Sequence, residues 1–176
     1  MRSVIRPLVA VAVVGLCVSF SVHVGALLGI AVTPLAGWML ALQGTAILLA
    51  FPTIMAGHLI VGDSMDATRL SGADVHVVLQ ACSPALRNMI YGFFAYAMLN
   101  FAFGAWTVYT GAPANDASTL RLFSGHWMAF FSAEAAIMVT YLQSAATVAR
   151  CPNGHHVSPT ANFCEVCGQP VERVPA

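Results

Sequence analysis

The residues best suited to chemistry lie near the C-terminus of this 176-residue chain, where three of its five cysteines fall within seventeen residues. The segment reads Cys151-Pro-Asn-Gly-His155-His156, then a spacer, then Phe163-Cys164-Glu-Val-Cys167-Gly168. A Cys-x-x-Cys pair followed by glycine makes a tight turn in which two thiolates face one ion. Cys151 and His155 supply a second pair, with His156 as the neighbouring alternative to His155. Three thiolates and one imidazole suit tetrahedral zinc, at about 2.3 Å for sulfur and about 2.1 Å for nitrogen. Four protein ligands close the coordination sphere and leave no position for a reactive water, so the expected role is structural. So short a segment buries too little apolar surface to fold alone, and the metal would supply its folding energy.

A second group of residues lies in apolar surroundings. Glu134 is the one acid well inside a long apolar run, where an ionisable side chain is expensive to place and is by default a functional candidate. Ser132, Thr140 and Tyr141 share its helix, with His126 two turns away. Counting depth from the run ends sets Asn100 level with Glu134 and His23 level with His126. His58 follows Pro52 by six residues in another run, and that proline should kink its helix and free a carbonyl. Three chemistries compete. Glu134 could titrate in a proton or cation pathway with Asn100 and Tyr141, or a b-type haem could sit between His23 and His126. Alternatively, a neutral Glu134 carboxyl donates a hydrogen bond that fixes helix register. The structural clamp is favoured. One acid without a matching Arg or second carboxylate is thin for a relay, inverted repeats are not evident, and only one histidine pair matches in depth.

The stretch from Cys151 to Pro170 resembles the zinc-ribbon family, whose modules pair two such Cys/His turns, often with Cys-Pro opening the first and Phe-Cys-x-x-Cys-Gly forming the second. The resemblance covers about a tenth of the chain. It departs from the commonest pattern in carrying His155 where a second cysteine usually stands, and the family's Cys-x-x-Gly-His variant implies His155 as the fourth ligand. Modules of this kind most often act as docking pieces or local clamps, and the resemblance implies that role here.

The elements that must position these residues follow from composition. The chain is 59% hydrophobic and 8% charged, with a mean hydropathy of +0.78, against about 25% charged residues in ordinary globular chains. Four apolar runs, Val4 to Val32, Leu35 to Gly62, Leu86 to Tyr109 and Leu122 to Ala149, each exceed the roughly 18 residues that mark a spanning helix. Backbone groups in lipid must be satisfied within their own segment, so the runs predict a bundle of four transmembrane helices. Arg2, Arg6, Arg69, Arg87 and Arg150 fall on one face of such a bundle, with Arg121 alone on the other. The positive-inside rule then puts both termini in the cytoplasm, as in a bacterial inner membrane. Cytoplasmic thiols stay reduced, which disfavours a disulfide reading of the tail.

Trp38, Trp106, Tyr109 and Trp127 fall near run ends and suggest an interfacial aromatic belt. Ser21, Gly25 and Gly29 form a small-residue ridge suited to close helix approach. Between the second and third runs, Ala73–Cys82 has the spacing of a short amphipathic helix, and Ser83–Pro84 reads as a cap and first turn. The seven arginines balance seven acids and there is no lysine, so no basic surplus exists to hold a nucleic acid.

The sequence thus predicts an all-α membrane protein with three parts: a four-helix bundle over residues 1–150, a zinc-ribbon module over 151–170, and a tail over 171–176. No Gly-rich phosphate loop or Ser-His-Asp set appears. The expected function is non-catalytic: an accessory, assembly or scaffold subunit, embedded in the bilayer, that engages a protein partner or a second copy through the bundle or the ribbon. The alternative is a redox or ion-translocating protein built on Glu134 and the intramembrane histidines.

Overall fold

A computed structural model describes residues 2–30, 35–61, 72–111, 116–145, 147–155, 157 and 161–175. It contains helices α1 (Arg2–Leu27), α2 (Leu35–Val61), α3 (Gly72–Ala81), α4 (Pro84–Tyr109) and α5 (Asp116–Ala145), and strands β1 (Thr147–Arg150) and β2 (Glu172–Pro175). The four helices α1, α2, α4 and α5 are long and apolar enough to cross a membrane.

The helix ends follow local chemistry. Gly29 adopts φ +76°, and the Gly29 and Ile30 N–H groups donate to the carbonyls of Ala26 (3.1 Å) and Gly25 (2.9 Å). That pair of bonds is a Schellman motif, which satisfies carbonyls the last turn would leave open. α1 therefore stops at Leu27, short of the Val32 expected from hydropathy. At the start of α4, the Leu86 N–H donates to the Ser83 hydroxyl at 3.4 Å, with Pro84 in the first turn, as the sequence predicts. α2 runs through Pro52 without a break, and α3 is one residue offset from the predicted Ala73–Cys82.

The fourth run needs correcting at both ends. α5 starts at Asp116 rather than Leu122, because Asp116, Ser118 and Thr119 form a polar first turn that hydropathy discounts although acids favour helix N-termini. It ends at Ala145, and the β-branched Thr147 and Val148 leave the helix for β1.

α5 is the hub of the bundle and packs against α1, α2 and α4, while α3 lies on α2 and touches α5. Phe131 and Trp127 are fully buried among Ile5, Ala12, Leu49 and Met138. This overturns the interfacial reading of Trp127: its indole sits in the core and its N–H donates to the Gln43 side-chain carbonyl at 3.0 Å. Trp106 and Tyr109 are exposed, as a belt requires. The side chain of Trp38 lies outside the described residues.

The small-residue ridge on α1 also differs from expectation. Gly25 has no atom within 4 Å of where a side chain would begin, and Ser21 is exposed. Close approach is made instead by Ala12, Gly15, Ser19 and Ala26, which occupy the buried face. A Cβ on Gly15 would lie 2.6 Å from the Phe131 ring. Both stripes have helical spacing, and hydropathy alone does not say which one faces a neighbour.

The described residues after α5 hold one strand pair. β1 and β2 are antiparallel, with Thr147 opposite Pro175 and Arg150 opposite Glu172. This pairing brings Thr147–Arg150, before the ribbon-like stretch, against Glu172–Pro175, after it.

Candidate metal centre

Two turns of similar design bring the C-terminal ligands together. In the first, the Gly154 N–H donates to the Cys151 carbonyl at 2.9 Å; in the second, the Gly168 N–H donates to the Cys164 carbonyl at 2.8 Å. Gly154 and Gly168 take φ +77° and +69°, a left-handed conformation that glycine adopts without steric cost. The second turn is closed by the Cys164 N–H donating to the Gln169 carbonyl at 2.8 Å and by a bridge between Phe163 and Pro170. Val157 and Val171 pack against the cysteines as a small apolar floor.

Among the described residues, the ligand atoms of Cys151, His155, Cys164 and Cys167 all lie within 4.8 Å of one another. The Cys151 and Cys167 sulfurs are 3.5 Å apart. His155 Nδ1 lies 3.6 Å from the Cys151 sulfur and 3.5 Å from that of Cys164. A tetrahedron built on zinc–ligand distances has edges of about 3.8 Å between sulfurs and about 3.6 Å between sulfur and nitrogen. The donor set therefore fits one tetrahedral ion and presents Nδ1 of His155 to it. His156 lies outside the described residues.

The backbone prepares these sulfurs for negative charge. A donated Gln169 N–H is the main cause that holds the Cys167 thiol below its ordinary value. Burial pushes Cys164 up, but N–H groups of Cys167 and Val166 outweigh it and the net shift is downward. Cys151 goes the other way, raised by burial and by the facing sulfurs despite the Asn153 and His155 N–H groups. Sulfurs crowded this closely cannot all ionise unless a cation sits among them.

The polar residues of the bundle are distributed differently from the depth-counted expectation. Asn100 is not level with Glu134. Its amide donates to the Arg121 carbonyl at 2.7 Å and its oxygen accepts from Arg121 Nε at 3.1 Å. Arg121 precedes Glu134 by 13 positions on α5, about 20 Å along the axis. Hydropathy placed the start of α5 too late, and the depth count inherited that error. Glu134 is buried and neither carboxyl oxygen has a hydrogen-bond partner among the described residues, so the clamp expected of it is not formed there. Tyr141 packs against the apolar core. His58 is buried with its Nε2 unpartnered among the described residues.

His23 and His126 each find partners within the protein. His126 Nδ1 donates to the Leu122 carbonyl at 2.9 Å, and its ring meets Phe101 edge-on. His23 Nδ1 lies 2.8 Å from the Ser124 hydroxyl and its Nε2 lies 2.6 Å from the Tyr96 hydroxyl. Neither Ser124 nor Tyr96 stood out in the sequence, because nothing in a hydropathy pattern says which residues of two helices meet. Both nitrogens of His23 are thus committed, which leaves it no lone pair for an axial ligand bond while these contacts hold. Comparison with protein-family models, curated proteins and solved structures yields no match for this chain.

Proposed function

We propose that the chain is an integral membrane protein that binds one structural zinc ion through Cys151, His155, Cys164 and Cys167. Its ribbon-like module then serves as a docking piece for a protein partner. In this reading both termini face the cytoplasm, where thiols remain reduced and available to the metal. The protein acts as an accessory, assembly or scaffold subunit rather than a catalyst.

The observation that carries the reading is the cluster of four donor atoms within 4.8 Å of one another; four protein ligands on one zinc ion would leave no position for a substrate. Supporting it, Phe163 and Val166 are 63% and 71% exposed beside the second turn. Large apolar side chains on a module this small are the kind of surface a partner covers.

Metal analysis of the full chain, purified in detergent, should give one zinc per chain, and Cys164→Ala should give none. In membranes from cells that express it, the native chain should migrate as a complex larger than itself. A Phe163→Ser/Val166→Ser double variant should keep zinc and leave that complex. If Cys164→Ala loses its zinc and the complex persists, the docking role is wrong.

A further inference from the structure

α1 and α4 both pack on or beside α5, and the Tyr96–His23 hydrogen bond links them across an apolar cleft of about 530 Å³. That volume lies in the range of small-molecule sites, about 300–1,000 Å³. Phe20, Val24 and Leu27 form one wall, Met89 and Phe93 the other, and Met128 of α5 the floor. Among the described residues, His23 and Tyr96 are the only polar side chains that line it.

The direction of the hydrogen bonds at this polar end is fixed by the last acceptor. The Ser124 hydroxyl donates its single proton to the Leu120 carbonyl at 2.6 Å, so it accepts from His23 Nδ1–H. With no carboxylate among its partners to hold a second proton, the ring is neutral and its Nε2 carries a lone pair. Tyr96 must then donate its hydroxyl proton to Nε2. Tyr96 is 36% exposed and lines the cleft, so its phenol oxygen consequently offers lone pairs there and no proton.

We propose that the cleft binds a membrane-soluble alcohol or phenol, with its apolar body between α1 and α4 and its hydroxyl donating to the Tyr96 oxygen. An ether, ester or ketone of the same shape sets an acceptor against an acceptor and loses that bond. A plain acyl chain satisfies the walls but leaves the phenol oxygen unmatched.

Gly92 supplies a clean way to close the site. It lines the cleft, and a Cβ there meets no atom within 4 Å, so a larger side chain can start there without strain, and Gly92→Leu occupies the cleft with better helix propensity.

The test uses the full chain in phosphatidylcholine nanodiscs with radiolabelled 4-dodecylphenol and its methyl ether, each corrected for uptake by empty nanodiscs. The phenol should bind saturably at one per chain and the ether about tenfold more weakly, the usual scale of one hydrogen bond. Tyr96→Phe should reduce the phenol to the level of the ether, and Gly92→Leu should remove the saturable component for both without lowering the melting temperature. Equal affinity of phenol and ether in the native chain overturns the proposal without recourse to any variant. So does uptake no greater than that of empty nanodiscs, or retained binding in Gly92→Leu.

Discussion

At position 15 of α1, a hydrogen atom is all the structure accommodates. The Phe131 ring lies where a side chain would start, with its nearest carbon 2.6 Å from an added Cβ. Gly15→Ala should therefore destabilise the bundle by about 1–3 kcal/mol, the usual range for overpacking, read as a lower melting temperature in detergent. Phe131→Leu in the same chain should recover part of that loss, because a smaller side chain returns the space. Glu134 predicts the opposite sign. A buried carboxyl with no hydrogen-bond partner among the described residues costs stability wherever it sits. Glu134→Leu should raise the melting temperature, corresponding to about 1–3 kcal/mol, and an unchanged or lower value would show that the carboxyl has a stabilising contact. At this scale the sequence was informative about type and silent about pairing. The Cys/His cluster could be read from its spacing down to a choice between His155 and His156, since each turn places its own pair. The Tyr96–His23–Ser124 and Asn100–Arg121 contacts depend on how helices far apart in sequence are rotated and offset, and no local pattern encodes that.

Among the elements, the C-terminal module depends most on a few backbone positions. Gly154 and Gly168 hold the left-handed conformations that let each turn close around its sulfur ligands. An alanine at either position strains the turn by about 1 kcal/mol. Gly168→Ala should thus weaken zinc about fivefold, measured by competition against a chromophoric chelator, while the helical circular dichroism stays unchanged. Stripping the metal with a strong chelator should unfold residues 147–175 and leave α1, α2, α4 and α5 intact, since none of those helices relies on the cluster for its core. Hydrogen exchange confined to the module would report this. The four long helices were legible because each is longer than a bilayer's hydrocarbon core is thick and carries few charges. The β1–β2 pair was not, because four residues at either end of a module carry no period long enough to read.

Taken as a whole, the molecule is built around one helix. α5 touches three other long helices, whereas among those long helices α4 has its main packing against α5 alone. Asn100 belongs to that contact and lies against Gly125, where an added Cβ would come within 2.7 Å of its amide nitrogen. Gly125→Leu should push Asn100 out of its bonds to Arg121 and loosen α4 selectively. Hydrogen exchange should rise along Pro84–Tyr109 with α1 and α2 still protected, and uniform exposure of all four long helices would contradict the hub arrangement. Composition announced a four-helix bundle, but it gave every helix equal standing. Relative burial separates them: α5 keeps one long buried face after another around its circumference, and only the assembled packing displays it.

The strand pair beyond α5 has a mechanical consequence. A single residue separates the last turn of α5 from β1, and β2 returns the end of the chain to that same place. Entry and exit of the C-terminal module are thereby zipped into one short stem on the tip of the hub helix. A force that pulls or twists the module enters the membrane portion along a single axle, and that axle bears on α1, α2 and α4 alike.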